Sequence, residues 1–350
     1  MTFQSDNNIL YLCQQDVERA CQQLDSVALI REVFRLHSAG QTTLPDEAYL
    51  AWTNDQGESV RSLNMPGYIG GSLKTAGTKI INGNINNPKR GLPRASGLTL
   101  LYDTTSVRVD CIMEGAFLSS LRTASVTALA AELLKGVEIE QLAIIGAGVL
   151  ARAHIDLLAR RLSHLQQIRI FDVERARITA LQRDLAEALE SRRIEMLPAA
   201  TAEEAIRSAQ LIVPVTTTTE GYISFAWLRP GSLLVNISLD DPLPEVVFKA
   251  DAVVVDDWNL VKNDSRRLIG RMYREGKVIG PDDPGLASGS GCRRIDAQLG
   301  DIVAGTKVGR RGPDDIILVN PFGLSLEDVA LGAAVYQIAR EMGIGVQLER

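Results

Sequence analysis

Cysteine, histidine and aromatic residues are scarce in this chain: four Cys, three His and 5% Phe, Trp and Tyr in 350 residues. Cys13, Cys21, Cys111 and Cys292 lack the close pairing of a zinc knuckle or a redox motif. Reduced structural thiols, no disulfide framework and no metal site are expected. His37, His154 and His164 have no partner at triad or metal spacing, and two of them lie amid Arg152, Arg160 and Arg161. All three read as surface side chains. Long apolar runs are also missing, each being broken by charge or glycine well short of a membrane span, so no membrane association is expected. Nor is there a basic excess: 37 Lys and Arg stand against 43 Asp and Glu, a net charge of −6. That balance argues against nucleic acid as a partner and for a small substrate. The start, MTFQSDNNILYLCQQ, has no basic segment followed by a long apolar stretch, and a cytoplasmic location is expected.

What is present is a globular composition, 45% hydrophobic and 23% charged, at a length that fits two domains. From about residue 140 a regular alternation begins. The apolar run Leu142-Ala143-Ile144-Ile145, a helical stretch through Arg161 and the run Ile168-Arg169-Ile170-Phe171-Asp172 read as strand, helix, strand. A helix over 174–190, a short strand near 194–197 and a helix from Thr201 follow, the last with Glu204 three residues on as a capping box. Segments 211–215, 233–237 and 252–256 are continuous apolar runs, as strands buried on both faces of a parallel sheet require. The expected fold class is α/β: a Rossmann-like doubly wound parallel sheet over 126–314. Residues 1–125 and 315–350 form the second domain, of mixed α+β type. It has one amphipathic helix (Val27, Ile30, Val33, Phe34), glycine-rich turns and a tail with one strand and one long helix. Residues 121–135 are an alanine-rich helix, and 281–313, with GPDDPG, SGSG and GRRG, read as a mobile or lid-like loop region.

Gly146-Ala147-Gly148-Val149-Leu150-Ala151 is GxGxxA placed after a strand and opening a helix. The first glycine permits the tight turn, the second lets backbone approach a pyrophosphate, and the small third residue lets helix pack on strand. Asp172, at the end of the next strand, is where a carboxylate meets the adenosine ribose hydroxyls. Its charge repels a 2′-phosphate and so selects NAD. Arg175 and Arg177 pull the other way, and a turn or capping role for Asp172 is the alternative. The run from Thr216 to Thr219 follows a strand at its C-terminal edge, where hydroxyls reach a cofactor or simply form a polar loop. Ser238, after the next strand, is counted with Thr216 among the cofactor candidates.

Three segments together, Gly77-Thr78-Lys79-Ile80-Ile81-Asn82 with Asn87-Pro88 beyond, Leu121-Arg122-Thr123-Ala124-Ser125, and the strand ending in the Gly146 turn, carry a resemblance. The chain resembles the ornithine cyclodeaminase/μ-crystallin superfamily over nearly its whole length, through Asn320-Pro321 and Leu326-Glu327-Asp328. The resemblance implies that Lys79 and Arg122 bind the substrate carboxylate, an arginine fork fixing the Cα toward the nicotinamide. It also implies a catalytic aspartate in the loop after a Rossmann strand, here Asn236-Ile-Ser-Leu-Asp240-Asp241-Pro242. Spacing from Asn236 selects Asp241 as general base, with Asp240 as the competing choice and a turn-forming Asp-Pro as the structural alternative. Lys79 is counted with Asp241 in the catalytic set. The family's first domains pair through their sheets, which implies a homodimer.

One departure bears on substrate. Cyclodeaminases carry a glutamate two positions before the Met-Pro matched here by Met65-Pro66, and this chain has Leu63. Arg61, Tyr68-Ile-Gly-Gly71, Arg94-Ala-Ser-Gly97 and Val254-Val-Asp-Asp-Trp258 look like the branch that oxidises N-(2-amino-2-carboxyethyl)-L-glutamate to give 2,3-diaminopropionate for siderophores and related peptides. Arg61 and Arg94 add two cations that suit a substrate with three carboxylates. The rival readings are a cyclodeaminase, a ketimine reductase or an alanine dehydrogenase of the same superfamily, and a non-catalytic ligand-binding protein of the μ-crystallin type.

Overall fold

The computed structural model describes residues 8–284 and 291–350. Two compact units divide the chain: Met1–Arg122 with Leu324–Arg350, and Thr123–Gly323. The second holds an eight-stranded sheet in the order Glu195–Pro198, Gln167–Phe171, Gln141–Ile145, Leu211–Pro214, Leu233–Val235, Ile317–Val319, Ala252–Val255, Ala297–Gln298. Every pairing in it is parallel. Leu142, Ala143 and Ile144 are all 0% exposed, which is why these strands are apolar without alternation. Strand order reverses between Gln141–Ile145 and Leu211–Pro214, the switch point at which open α/β sheets bind nucleotides outside their C-terminal edge. This is the expected doubly wound sheet.

Two details differ from the sequence reading. Ile317–Val319 inserts between Leu233–Val235 and Ala252–Val255, so the chain stays with this sheet beyond 314 and leaves it only after Gly323. Apolar on all three side chains and buried throughout, the strand completes two ladders at once, whereas an exit at 315 would open a gap in the sheet centre. The region read as a loop is also partly structured: Arg293–Arg294 and Ala297–Gln298 are strands and Leu299–Val303 is a helix. The part of that expectation falling on 285–290 lies outside the described residues.

The first unit carries a mixed sheet in the order Val346–Glu349, Asn8–Leu12, Val109–Glu114, Ala95–Tyr102, Thr75–Asn84, Ser59–Ile69, Thr42–Thr43, with Ala48–Thr53 also pairing Ser59–Ile69. The helices Ser26–Ser38 and Gln14–Cys21, the second not anticipated from sequence, contact the long C-terminal helix Ser325–Met342. That helix lies on the strands Ser59–Ile69 and Thr75–Asn84. Alternation does the placing: Leu63, Met65 and Ile69 are buried on the face it covers. Gly77 permits the close approach, since a Cβ there would stand 2.3 Å from Leu100 O and 3.3 Å from the Val329 side chain.

Candidate active site

At the switch point the turn after Gln141–Ile145 is built on Gly146, whose φ of +102° suits glycine. A Cβ there would lie 2.9 Å from Val215 O, so the turn also needs a residue with no side chain. Gly146 N–H donates to Phe171 O at 2.7 Å, and Ala147 N–H donates to Asp172 Oδ2 at 2.7 Å. Gly148 is the N-cap of the helix Val149–Arg161, and nothing stands within 4 Å of where its Cβ would be. Open space in front of a helix start that carries Val149 and Leu150 leaves room for a pyrophosphate. Asp172 Oδ1 accepts from Glu174 N–H at 2.8 Å, so the turn role allowed by the sequence is present. Its remaining lone pairs are those a ribose diol would use. Arg177 is paired with Glu174 at 2.8 Å, which balances one of the two nearby cations. These residues fit a dinucleotide.

Along the same C-terminal edge, the loops after Leu211–Pro214 and Leu233–Val235 meet at Asp241, which is 0% exposed. Thr216 Oγ1 and Tyr222 Oη each donate to Asp241 Oδ1 at 2.8 Å, while Oδ2 is buried with no hydrogen-bond partner. Ser238 Oγ accepts from Thr216 N–H at 2.7 Å. The hydroxyls of Thr216 and Ser238, assigned from sequence to the cofactor, therefore build the surroundings of Asp241. Burial raises the Asp241 carboxyl above its ordinary value, against the hydrogen bonds from Thr216 and Tyr222, which lower it. Asp240 is differently placed, with Arg271 Nη2 on Oδ1 at 2.7 Å and Arg271 Nη1 on Oδ2 at 3.3 Å. Of the two adjacent acids, Asp241 is the one with an oxygen left over for chemistry.

The first unit buries four charges together. Lys79, 2% exposed on the strand Thr75–Asn84, donates to Asp328 Oδ2 at 3.1 Å and to Ser119 Oγ at 2.8 Å. Arg122, on the helix Ala116–Leu134, donates from Nη1 to Glu327 Oε2 at 2.8 Å, and its Nε lies 3.3 Å from Asp328 Oδ2. Glu327 and Asp328 occupy the first turn of Ser325–Met342, where the helix dipole favours acids. Burial, and after it the Arg122 charge, lowers the Lys79 ammonium to about 8, opposed by Asp328 and Glu327. The structure thus brings Lys79 and Arg122 into one cluster, with partners that the sequence reading noted only as a motif.

Arg61 and Arg94 also come together. Arg61 pairs with Gly83, and a Cβ on Gly83 would lie 3.5 Å from Arg61 Nε and 3.6 Å from Arg94 O. Desolvation and, second, the charge of Arg61 lower the Arg94 guanidinium. Neither arginine has a carboxylate partner among the described residues. Because Met65 pairs with Lys79, period-two alternation puts Arg61, Leu63 and Lys79 on one face, with Arg61 about 13 Å along the strand from Lys79. Leu63 lies between them, 8% exposed.

His154 corrects the sequence reading: it is 0% exposed, with Nε2 3.0 Å from Thr127 Oγ1 and Nδ1 2.7 Å from Leu150 O. It shares the buried face of its helix with Ala151, Ile155 and Leu158, and the neighbouring arginines leave from other faces. Burial pushes its imidazole down to about 4, so it is neutral.

Residues 7–343 match the Ornithine cyclodeaminase/mu-crystallin family. The N-((2S)-2-amino-2-carboxyethyl)-L-glutamate dehydrogenase of Staphylococcus aureus is 30% identical over 349 residues, spanning 98% of this chain and 99% of that protein. Among solved structures, CmnK superposes with a TM-score of 0.88 at 36% identity over 98% of both chains. An archaeal alanine dehydrogenase dimer with bound NAD superposes with a TM-score of 0.81 at 25% identity, covering 97% of this chain and 99% of that one.

Proposed function

This chain belongs to the ornithine cyclodeaminase/mu-crystallin family, and we propose that within it the chain is an NAD-dependent dehydrogenase of N-(2-amino-2-carboxyethyl)-L-glutamate, releasing 2-oxoglutarate and L-2,3-diaminopropionate for siderophore or peptide natural-product synthesis. The observation that carries the substrate choice is the arrangement of cations: Lys79 and Arg61 share a sheet face with the apolar Leu63 between, Arg122 shares Asp328 with Lys79, and Arg94 is close enough to Arg61 for the two charges to act on each other. A single α-carboxylate needs only Lys79 and Arg122. A substrate with three carboxylates gives work to Arg61 and Arg94, and the Staphylococcus aureus relative, which is named for this substrate, supports the choice.

NAD, when bound, supplies the acceptor for the hydride that leaves the glutamate Cα. The rest falls to the chain. The Gly146–Leu150 turn and helix start hold the pyrophosphate, and Asp172 the ribose. Arg122 and Lys79 grip the α-carboxylate and fix the Cα. Oxidation removes the hydride and the proton of the secondary amine, leaving an imine. Asp241, raised by burial, takes that proton, returns it to the imine nitrogen, then takes one from the water that attacks the imine carbon and hands it to the nitrogen, the remaining carbinol O–H proton being lost as the ketone forms. The Cα–N bond breaks with the nitrogen leaving on 2,3-diaminopropionate, and the former Cα becomes the ketone of 2-oxoglutarate. A homodimer working in the cytoplasm completes the proposal. The dimeric alanine dehydrogenase supports the first part, as does the exposed strand Ala48–Thr53, where Tyr49, Leu50 and Trp52 are 45%, 59% and 48% exposed. Among the described residues no helix is long and apolar enough to cross a membrane.

The test mixes purified protein with NAD and the synthetic conjugate, follows NADH absorbance and identifies 2-oxoglutarate by mass spectrometry, with L-alanine, L-proline and L-ornithine in parallel. Turnover of one of these with the conjugate inert overturns the substrate. No NADH from any amine overturns the enzyme and favours the ligand-binding alternative. Arg61→Ala should raise KM for the conjugate while leaving any residual turnover of L-alanine unchanged.

A further inference from the structure

The backbone of Asp241 is strapped to a segment that no sequence motif marked. Tyr222 N–H and Ile223 N–H both donate to Asp241 O at 2.9 Å, and Leu243 N–H donates to Ile223 O at 3.0 Å. Ile223 and Pro242 form an isolated parallel bridge. Gly221 makes the approach possible, because a Cβ there would stand 3.0 Å from Pro242 O and 3.1 Å from Asp240 O. The strap delivers the Tyr222 hydroxyl to Asp241 Oδ1, the same oxygen that accepts from Thr216. Two donors at 2.8 Å on one oxygen fix the rotation of the carboxylate and leave Oδ2 as the oxygen without a partner.

We infer that Tyr222 is a positioning residue for the base, its hydroxyl acting with that of Thr216 to lock Oδ1 and so present Oδ2 as the proton-accepting atom. The inference rests on the reading of Asp241 as the base. It assigns a second effect as well. Hydrogen bonds to an ionised carboxylate favour the ionised form, so these donors oppose the upward shift that burial imposes on Asp241. The groups facing Asp241 are Thr216 from the loop after Leu211–Pro214, Tyr222 from the strap and Ser238 from its own loop. The adjacent acid in the chain, Asp240, pairs with Arg271. Burial and the adjacent carboxylate raise the Tyr222 phenol far above its ordinary value, so it stays a donor at every working pH.

The experiment compares pH profiles of kcat/KM for wild type, Tyr222→Phe, Thr216→Val and Asp241→Asn, with NAD affinity measured by calorimetry as the check on folding. Losing one charge-assisted hydrogen bond should move the acid limb up by roughly one pH unit in each of the first two variants, with NAD affinity unchanged in Tyr222→Phe. Asp241→Asn should have no acid limb. If Asp241→Asn keeps the wild-type limb, the base reading itself fails. If Asp241→Asn loses the limb but the limb of Tyr222→Phe stays at the wild-type position, the base stands and the inference about Tyr222 is overturned. Should Tyr222→Phe not fold, Thr216→Val carries the same decision, because it removes the other donor to the same oxygen.

Discussion

Arg122→Ala is expected to lower stability as well as activity, because under the proposed function a residue that pairs two buried acids also holds the substrate carboxylate. Its guanidinium reaches Glu327 at 2.8 Å and Asp328 at 3.3 Å, and both acids are 0% exposed. Truncation leaves Lys79 to answer Asp328 but takes from Glu327 its cation at 2.8 Å, and removing one member of a buried pair costs about 3–5 kcal/mol. For a unit of this size that is a fall of roughly 6–20 °C in Tm by scanning calorimetry. A buried carboxylate that loses its cation relieves itself by taking a proton, so the deficit should shrink as pH is lowered. Replacing both partners with apolar side chains, Arg122→Met with Glu327→Leu, should recover most of the lost stability, since the buried acid is then removed with its cation. Activity should not return. With no fork for the carboxylate, both variants should lose about 2–4 kcal/mol in kcat/KM, roughly 30- to 1000-fold. A Tm within about 2 °C of wild type for Arg122→Ala would refute the argument from the lost ion pair. A double variant no more stable than the single one would assign the loss to the cavity instead, and unchanged kinetics would remove Arg122 from the substrate site.

Three further outcomes are expected. Asp241→Asn should reduce kcat by roughly a hundredfold or more with NAD binding intact. Asp240→Asn, which only weakens the pair with the part-exposed Arg271, should retain most of the rate; the reverse result would mean that the adjacent acid is the base. NAD should bind more tightly than NADP in calorimetric titration, because an Asp172 carboxylate holding the ribose, as proposed, would repel a 2′-phosphate. Equal or tighter NADP binding refutes that placement. Lys79 falls from an ordinary 10.5 to about 8, so between those values the folded protein binds fewer protons than the unfolded chain. Its contribution to stability is lowest below pH 8 and rises across that window. Urea unfolding at pH 8 and pH 10 should show the rise in wild type and not in Lys79→Met.

The central sheet was legible because parallel strands are buried on both faces and so read as unbroken apolar runs, as at 142–145 and 211–214. Ile317–Val319 is equally apolar, but its place between Leu233–Val235 and Ala252–Val255 is set by pairing across more than sixty residues, which no local pattern records. Arg293–Arg294 and Ala297–Gln298 are two-residue strands, too short to carry a period. What holds them is specific: Asp296 Oδ2 accepts from Val253 N–H at 2.8 Å and from Arg293 Nη2 at 2.7 Å. The helix Gln14–Cys21 has only Val17 and Ala20 buried, a signal too small to separate from its polar surroundings. His154 is another matter. Ala151, His154, Ile155 and Leu158 stand at helical spacing, so its burial was written in the sequence; the charged neighbours in the chain obscured a residue that they do not face.

In the candidate site, legibility follows the range of the interaction. Gly146 is readable because its turn is local chemistry between a strand and a helix. Tyr222 is not, because its bond to Asp241 depends on two loops lying side by side. Glu327 and Asp328 were readable as residues but not as partners of Lys79 and Arg122, and the pairing changes the electrostatics of binding. Two cations and two acids already balance, so a carboxylate docking on Arg122 brings one uncompensated negative charge into a buried cluster. Arg61, on the same face as Lys79, and Arg94 beside it have no carboxylate partner among the described residues. Under the proposed function the distal carboxylates of the conjugate would answer Arg61 and Arg94, so its preference over L-alanine should weaken as salt is raised, and kcat/KM for both substrates at two ionic strengths checks this.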